Sequence, residues 1–290
     1  MNLSSVWQLG RATVNDWLED DAARLAAAMA YYAAISIAPI FVIIITVVGF
    51  LFRAQTARQQ LVTQLQHWIG QTGAQFLEVV LRHASAPTLS NTASIISLVV
   101  LIWGSTNLFS QLQNALNVIW DVEAENSEGL MARAKDRLIS FALVLGIGLL
   151  LIIAIFLNAL LATLTRYLGN LLPGFNWIWQ IGNYAVSFAV ITLLFATIFK
   201  VLPDVDIAWH DVWVGAAATA LLFLLGNFLL SFYLSHQNNA VYGAASSLVI
   251  FLLWVYYSAQ IFFLGAEFTQ VYANHYGSGI DPLKKAPQTG

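Results

Sequence analysis

Apolar and polar positions along this chain are segregated in long blocks. Leu25 to Phe52 carries no charged side chain, and neither do His83–Trp120, Leu138–Thr165 and Val212–Ala266. Tyr167–Phe199 is also uncharged but is broken by Pro173–Gly174. A helix needs about 20 apolar residues to cross about 30 Å of hydrocarbon. The blocks therefore predict six transmembrane helices, near 25–52, 93–119, 138–165, 178–200, 210–234 and 244–268. Membrane-spanning strands would show period-two alternation, and runs such as Leu149–Phe156 do not alternate. The expected class is all-α and polytopic.

Two stretches outside the blocks have helical periodicity. Residues 5–20 place Trp7, Val14, Trp17 and Leu18 among charges, a pattern suited to a helix lying on a membrane surface. Segment 53–92 spaces Leu61, Leu65, Trp68 and Ile69, then Phe76, Val79 and Val80, by threes and fours. It predicts an external amphipathic helical segment between the first and second spans. The organisation is then an N-terminal amphipathic segment (1–24), a six-helix membrane domain (25–275) and a flexible tail (276–290).

Composition closes off other classes. Of 290 residues, 59% are hydrophobic and 9% charged, against about 45–50% and about 25% in soluble domains. The 27 charges, 12 basic and 15 acidic, are too few to cover a soluble surface. A net charge of −3 gives no basic face for nucleic acid. With no cysteine, disulfides, thiolate metal sites and thiol nucleophiles are excluded. With the N-terminus inside, Arg11, Arg24, Arg133, Lys135, Arg137, Lys200, Lys284 and Lys285 fall on the cytoplasmic side. Only Arg53, Arg58, Arg82 and Arg166 fall outside, so the positive-inside rule places both termini in the cytoplasm. The first apolar run follows acidic residues and is too long for a signal peptide, so it should remain as a span.

Small and polar residues mark particular faces. Ala22, Ala26, Ala30, Ala34 and Ala38 recur every four residues, which suits close helix packing in the bundle or in a homodimer. Tyr32, Ser36 and Pro39 lie on another face of the same span; Pro39 frees a carbonyl and favours a kink or hinge. The second half of the second span is rich in carboxamides. Asn107, Gln111 and Asn114 form one stripe, with Asn117 on the adjacent one. Facing lipid, they would lack partners, so they either line a polar cavity or emerge into the headgroup zone. In the last span Tyr257, Gln260 and Glu267 share a face, and Gly265 admits a neighbouring helix. Glu267 lies about 35 Å along its helix at 1.5 Å per residue. It is either an interfacial ion pair, with Arg24 a candidate partner, or a contact for substrate, proton or ion. The three polar faces agree in depth, as a cytoplasm-facing cavity would require.

No enzyme chemistry is legible. His67, His83, His210, His236 and His275 form no H-x-H or H-E-x-x-H pair. No Walker loop and no G-x-S-x-G occurs, so no catalytic residue, metal site or cofactor is expected.

Four motifs, in order, resemble the YihY/BrkB family of bacterial inner-membrane proteins. They are Ala28-x-Ala30–Tyr31–Tyr32…Ser36-x-x-Pro39, then Trp103…Leu112–Gln113–Asn114–Ala115–Leu116–Asn117–Val118–Ile119–Trp120. Next come Leu202–Pro203–Asp204…Trp209…Gly215–Ala216, and Tyr242–Gly243…Leu253–Trp254-x-Tyr256–Tyr257–Ser258…Gly265–Ala266–Glu267. The resemblance implies six helices with cytoplasmic termini in the inner membrane. Some members were once labelled a tRNA-processing ribonuclease, for which the metal-binding histidines are missing here. Others are linked to serum resistance or to export of lipid or lipopolysaccharide precursors. The expected function is transport or flipping of a lipid or lipid-linked envelope precursor. A membrane scaffold for an envelope complex and a small-solute channel or carrier are the alternatives. Membrane lipid is the expected partner.

Overall fold

The computed structural model describes residues 3–51, 107–122, 176–235, 246–277 and 281–282, with single positions at 146, 149, 153 and 279. In chain order the elements are α1 (Leu3–Glu19), α2 (Ala22–Leu51) and α3 (107–119). They continue with α4 (Asn176–Val201), β1 (Val205–Asp206), α5 (Trp209–Ser235), α6 (Ser246–Tyr276) and β2 (Asp281–Pro282). Among the described residues, three helices contain stretches long and apolar enough to cross a membrane: Tyr184–Val201, Trp209–Leu229 and Leu248–Tyr276. The helix predicted at 25–52 is α2, and those at 178–200 and 210–234 are α4 and α5. Only the end of the second predicted span is described, and it is helical; 146, 149 and 153 in the third are helical. The external segment 53–92 lies outside the described residues.

The last helix corrects its prediction. It does not stop at 268 but runs to Tyr276. The extension keeps burying side chains, at Thr269, Gln270, Val271 and Ala273, so packing continues after hydropathy falls. Within the segment expected as the tail, Asp281 and Pro282 pair antiparallel with Asp206 and Val205.

The core is built where α6 meets α2, α5 and α1, and where α5 meets α4. Buried positions Ile191, Phe195, Ile198, Phe199 and Leu202 follow the i, i+4, i+7 spacing that turns one face of α4 inward. Phe199 meets Phe262 of α6 with centroids 5.0 Å apart, and Phe195 meets Phe223 of α5 edge-on at 5.6 Å. Trp254 of α6 donates its indole N–H to Asn227 Oδ1 of α5 at 3.1 Å.

The alanine stripe of α2 packs as expected at its start: Ala22, Ala26 and Ala30 are buried. The buried face then moves to Ala33 and Ser36, and Ala34 is half-buried. Four residues turn a helix about 40° beyond a full turn, so a strict four-residue row drifts off a straight contact. α2 passes through Pro39 as one continuous helix.

Between α5 and α6 the contact is reciprocal. Gly215 and Thr219 on α5 face Thr269 and Gly265 on α6. A methyl built on Gly215 would lie 1.9 Å from Thr269 Oγ1, and one on Gly265 would lie 2.1 Å from Thr219 Oγ1. Each threonine hydroxyl donates to the carbonyl of its own helix four residues back, Thr219 to Gly215 and Thr269 to Gly265, both at 2.7 Å. The polar atom is thus satisfied within its helix, and the side chain fills the neighbour's glycine notch.

Candidate functional site

The ends of α1, α3 and α6 and the α4–β1 turn converge on a group of polar side chains. Two helix endings shape it. α3 closes with Val122 N–H on Asn117 C=O and Asp121 N–H on Val118 C=O, a Schellman arrangement with Asp121 at φ 53°. After α1 the chain turns at Asp21, φ 51°, whose carbonyl accepts from Arg24 and Leu25 N–H and starts α2. Aspartate tolerates this left-handed conformation better than most residues. The two-residue joint brings Asp20 toward α6.

Glu267 of α6 is fully buried. Among the described residues, neither of its carboxyl oxygens has a donor. The side chain within hydrogen-bonding reach is another carboxyl, that of Asp20, with Asp16 and Asp121 also near enough to repel. Two carboxyls can bond to each other only when one carries a proton. Burial pushes the Asp20 carboxyl above its ordinary 3.8, and the charges of Asp121, Asp16 and Glu19 push it the same way, while a proton donated from the Glu267 carboxyl would oppose them. Asp16 is also raised, by burial first and then by Glu19 and Asp121, with His275 opposing. The candidate pairing with Arg24 does not form: Arg24 is turned outward to Asp21, 3.5 Å away, with both side chains mostly exposed. Trp120 donates to the backbone carbonyl of Ala266 at 3.2 Å, and Gln270 donates to Asp121 at 3.2 Å, so α3 is tied to α6 on both sides of Glu267.

A second polar contact lies where α3 meets the turn after α4. Asn117 Nδ2 donates to Asp204 Oδ2 at 2.8 Å, and Asp204 N–H donates back to Asn117 Oδ1 at 3.0 Å. Gln113 adds a third bond, to Asp204 Oδ1, at 3.1 Å. Lys200 pairs with Asp206 and donates to Ile207 C=O at 2.7 Å. Asn117, read as a cavity candidate, is buried and joined to Asp204.

Of the other sequence candidates, Tyr32 is half-buried and Ser36 buried on α2; Asn107 and Gln111 are half-buried and Asn114 exposed on α3. Tyr257 and Gln260 are half-buried on α6, with the Tyr257 ring against Gly226 of α5. The structure packs α2 against α6, which carries the first and third groups on adjoining helices. Asp20, Asp121, Asp204 and Gln270 were not among the sequence candidates. The acidic run Asp16, Glu19, Asp20 and Asp21 gave a signal, and Asp204 stood within a motif, but neither pattern names its partner. No three His, Asp or Glu among the described residues are grouped to hold a metal.

Residues 13–289 match the family described as virulence factor BrkB. The chain belongs to the BrkB family. It is similar to UPF0761 membrane proteins, at 24% identity with one from Psychrobacter and 25% with one from Alcanivorax borkumensis. The matches cover 89% and 88% of this chain but 47% and 58% of those relatives. This chain thus spans about half the length of these two BrkB relatives. A Bacillus subtilis relative, the ribonuclease-like protein YfkH, is 21% identical over 83% of this chain and 86% of its own. No solved structure matches this BrkB chain.

Proposed function

We propose that this BrkB-family membrane protein moves a lipid or lipid-linked envelope precursor across the bacterial inner membrane, with both termini in the cytoplasm. Tyr32 and Ser36 of α2, Asn107, Gln111 and Asn114 of α3, and Tyr257, Gln260 and Glu267 of α6 would form the polar path for the headgroup. The tails would stay in hydrocarbon. α1 would lie on the cytoplasmic surface of the bilayer through its exposed Trp7, Val14 and Leu18.

The observation that carries this reading is Glu267, a fully buried carboxyl without a donor on an apolar helix. An ionisable group in such a helix is costly to retain and marks a substrate or ion route by default. The half-buried Gln260 and Tyr257 continue the same face of α6, about two and about three turns back from Glu267.

Photo-crosslinking tests the path. A photoreactive residue at Gln111 or Gln260 should capture a lipid with a polar or sugar-bearing headgroup. The same probe at Leu225, exposed on α5, should capture only bulk lipid. Identical lipid profiles at all three positions would contradict the proposed path.

A further inference from the structure

A carboxyl buried in α6 meets another at the half-exposed α1–α2 joint, with no cation between them among the described residues. Glu267 has no exposed surface, and among the described residues neither of its oxygens has a donor. Of the carboxyls that bear on it among the described residues, Asp20 at the α1–α2 joint is within hydrogen-bonding reach. Ionised together, they would place two anions side by side in a poorly solvated site, which is strongly unfavourable. The surroundings add to this cost. Asp16 faces the pair from α1 and Asp121 faces it from the end of α3. Glu19 bears on Asp20 from α1. Among basic groups, Arg24 of α2 is turned out to Asp21, and His275 of α6 lies beside Asp16. Asp211 of α5 packs at Gly277, about 15 Å farther along α6 at 1.5 Å per residue. His210 is on the exposed side of Asp211.

We infer that Glu267 and Asp20 together form a proton-binding site that fastens the α1–α2 joint to α6. One proton converts two repelling acceptors into a donor and an acceptor. The protonated carboxyl then bonds to its partner, and no counter-cation is needed. Loss of the proton leaves two adjacent anions, with Asp16 and Asp121 adding repulsion, and drives the joint off α6. The proton belongs to the pair and not to either residue alone. α2 begins at this joint and carries Tyr32 and Ser36, so the proton would act on one wall of the proposed path. As the energy source for transport this rests on the function proposed above. As a proton site it stands independently of any substrate.

Infrared titration of the full chain in lipid nanodiscs tests it without a transport assay. The wild type is expected to show the C=O stretch of a protonated, water-excluded carboxyl at neutral pH, lost on alkalinisation. Glu267→Gln is expected to remove that band. Asp20→Asn removes the partner anion but leaves Glu267 buried, so its band is expected to be lost at a lower pH than in the wild type. Asp20 is at a half-exposed joint, which keeps the test open if Glu267→Gln does not fold. Absence of the band in the wild type, or its survival in Glu267→Gln, overturns the proton site. A titration of the band in Asp20→Asn unchanged from the wild type overturns the pairing. A proton band together with no lipid movement would refute the transport reading alone.

Discussion

Gly265→Ala is expected to melt well below the wild type, by about 1–3 kcal/mol of stability, the usual cost of overpacking a tight core contact. The new methyl would lie 2.1 Å from Thr219 Oγ1, 2.6 Å from Cγ2 and 2.7 Å from Cβ. Thr219 cannot swing aside cheaply. It is β-branched, and its hydroxyl is held by the Gly215 carbonyl at 2.7 Å. The helices must therefore separate, and they pull on Glu267 two residues along. Gly215→Ala should behave alike, since its methyl would lie 1.9 Å from Thr269 Oγ1. Combining Gly265→Ala with Thr219→Ala removes the Oγ1 and Cγ2 collisions and should recover part of the loss. Thermal unfolding in detergent measures all three variants. A Gly265→Ala protein melting with the wild type would refute the interlock.

Asn117→Ala should cost about 1–3 kcal/mol, the range for stranding a buried polar partner. It leaves the Asp204 N–H without its acceptor and removes one of the two amide donors on the Asp204 carboxylate. Asn117→Asp should be worse, because it sets two carboxylates against each other at that contact. The exchange Asn117→Asp with Asp204→Asn should regain most of the loss. The new Asp accepts from the backbone N–H and the side-chain amide of the new Asn, which preserves both bonds. A double-mutant cycle in chemical or thermal unfolding isolates this coupling. Additive losses in the exchanged protein would show that the two residues do not act as a pair.

Much of the described fold was legible because charge is so costly in hydrocarbon that its absence outlines helices. Starts near 22, 176, 209 and 246 followed from blocks without charge. The end of α6 did not, because Thr269, Gln270 and His275 look like an exit from the membrane, whereas packing carries the helix to Tyr276. The role of Gly265 as a point of close approach was readable from its size; its partner Thr219 was not, although Gly215–Thr219 and Gly265–Thr269 repeat one spacing. Glu267 was identifiable as an anomalous carboxylate on an apolar helix. That it meets Asp20, and not Arg24, depends on the turn at Asp21, where a left-handed residue sets the direction of α1. Periodicity along one helix carries no information about such a joint. The carboxamides of α3 read as a single class, yet Gln113 and Asn117 bind the turn after α4 while Gln111 is left half-buried. Only tertiary contact separates structural amides from candidates for a path.

Transbilayer movement of labelled lipids in liposomes carrying the purified protein is the most direct test of the transport reading. The wild type is expected to speed movement of at least one polar-headgroup lipid over protein-free vesicles, and Gln111→Leu and Gln260→Leu to slow it. Unchanged movement across a broad lipid panel, in vesicles where the protein is folded and inserted, would contradict it.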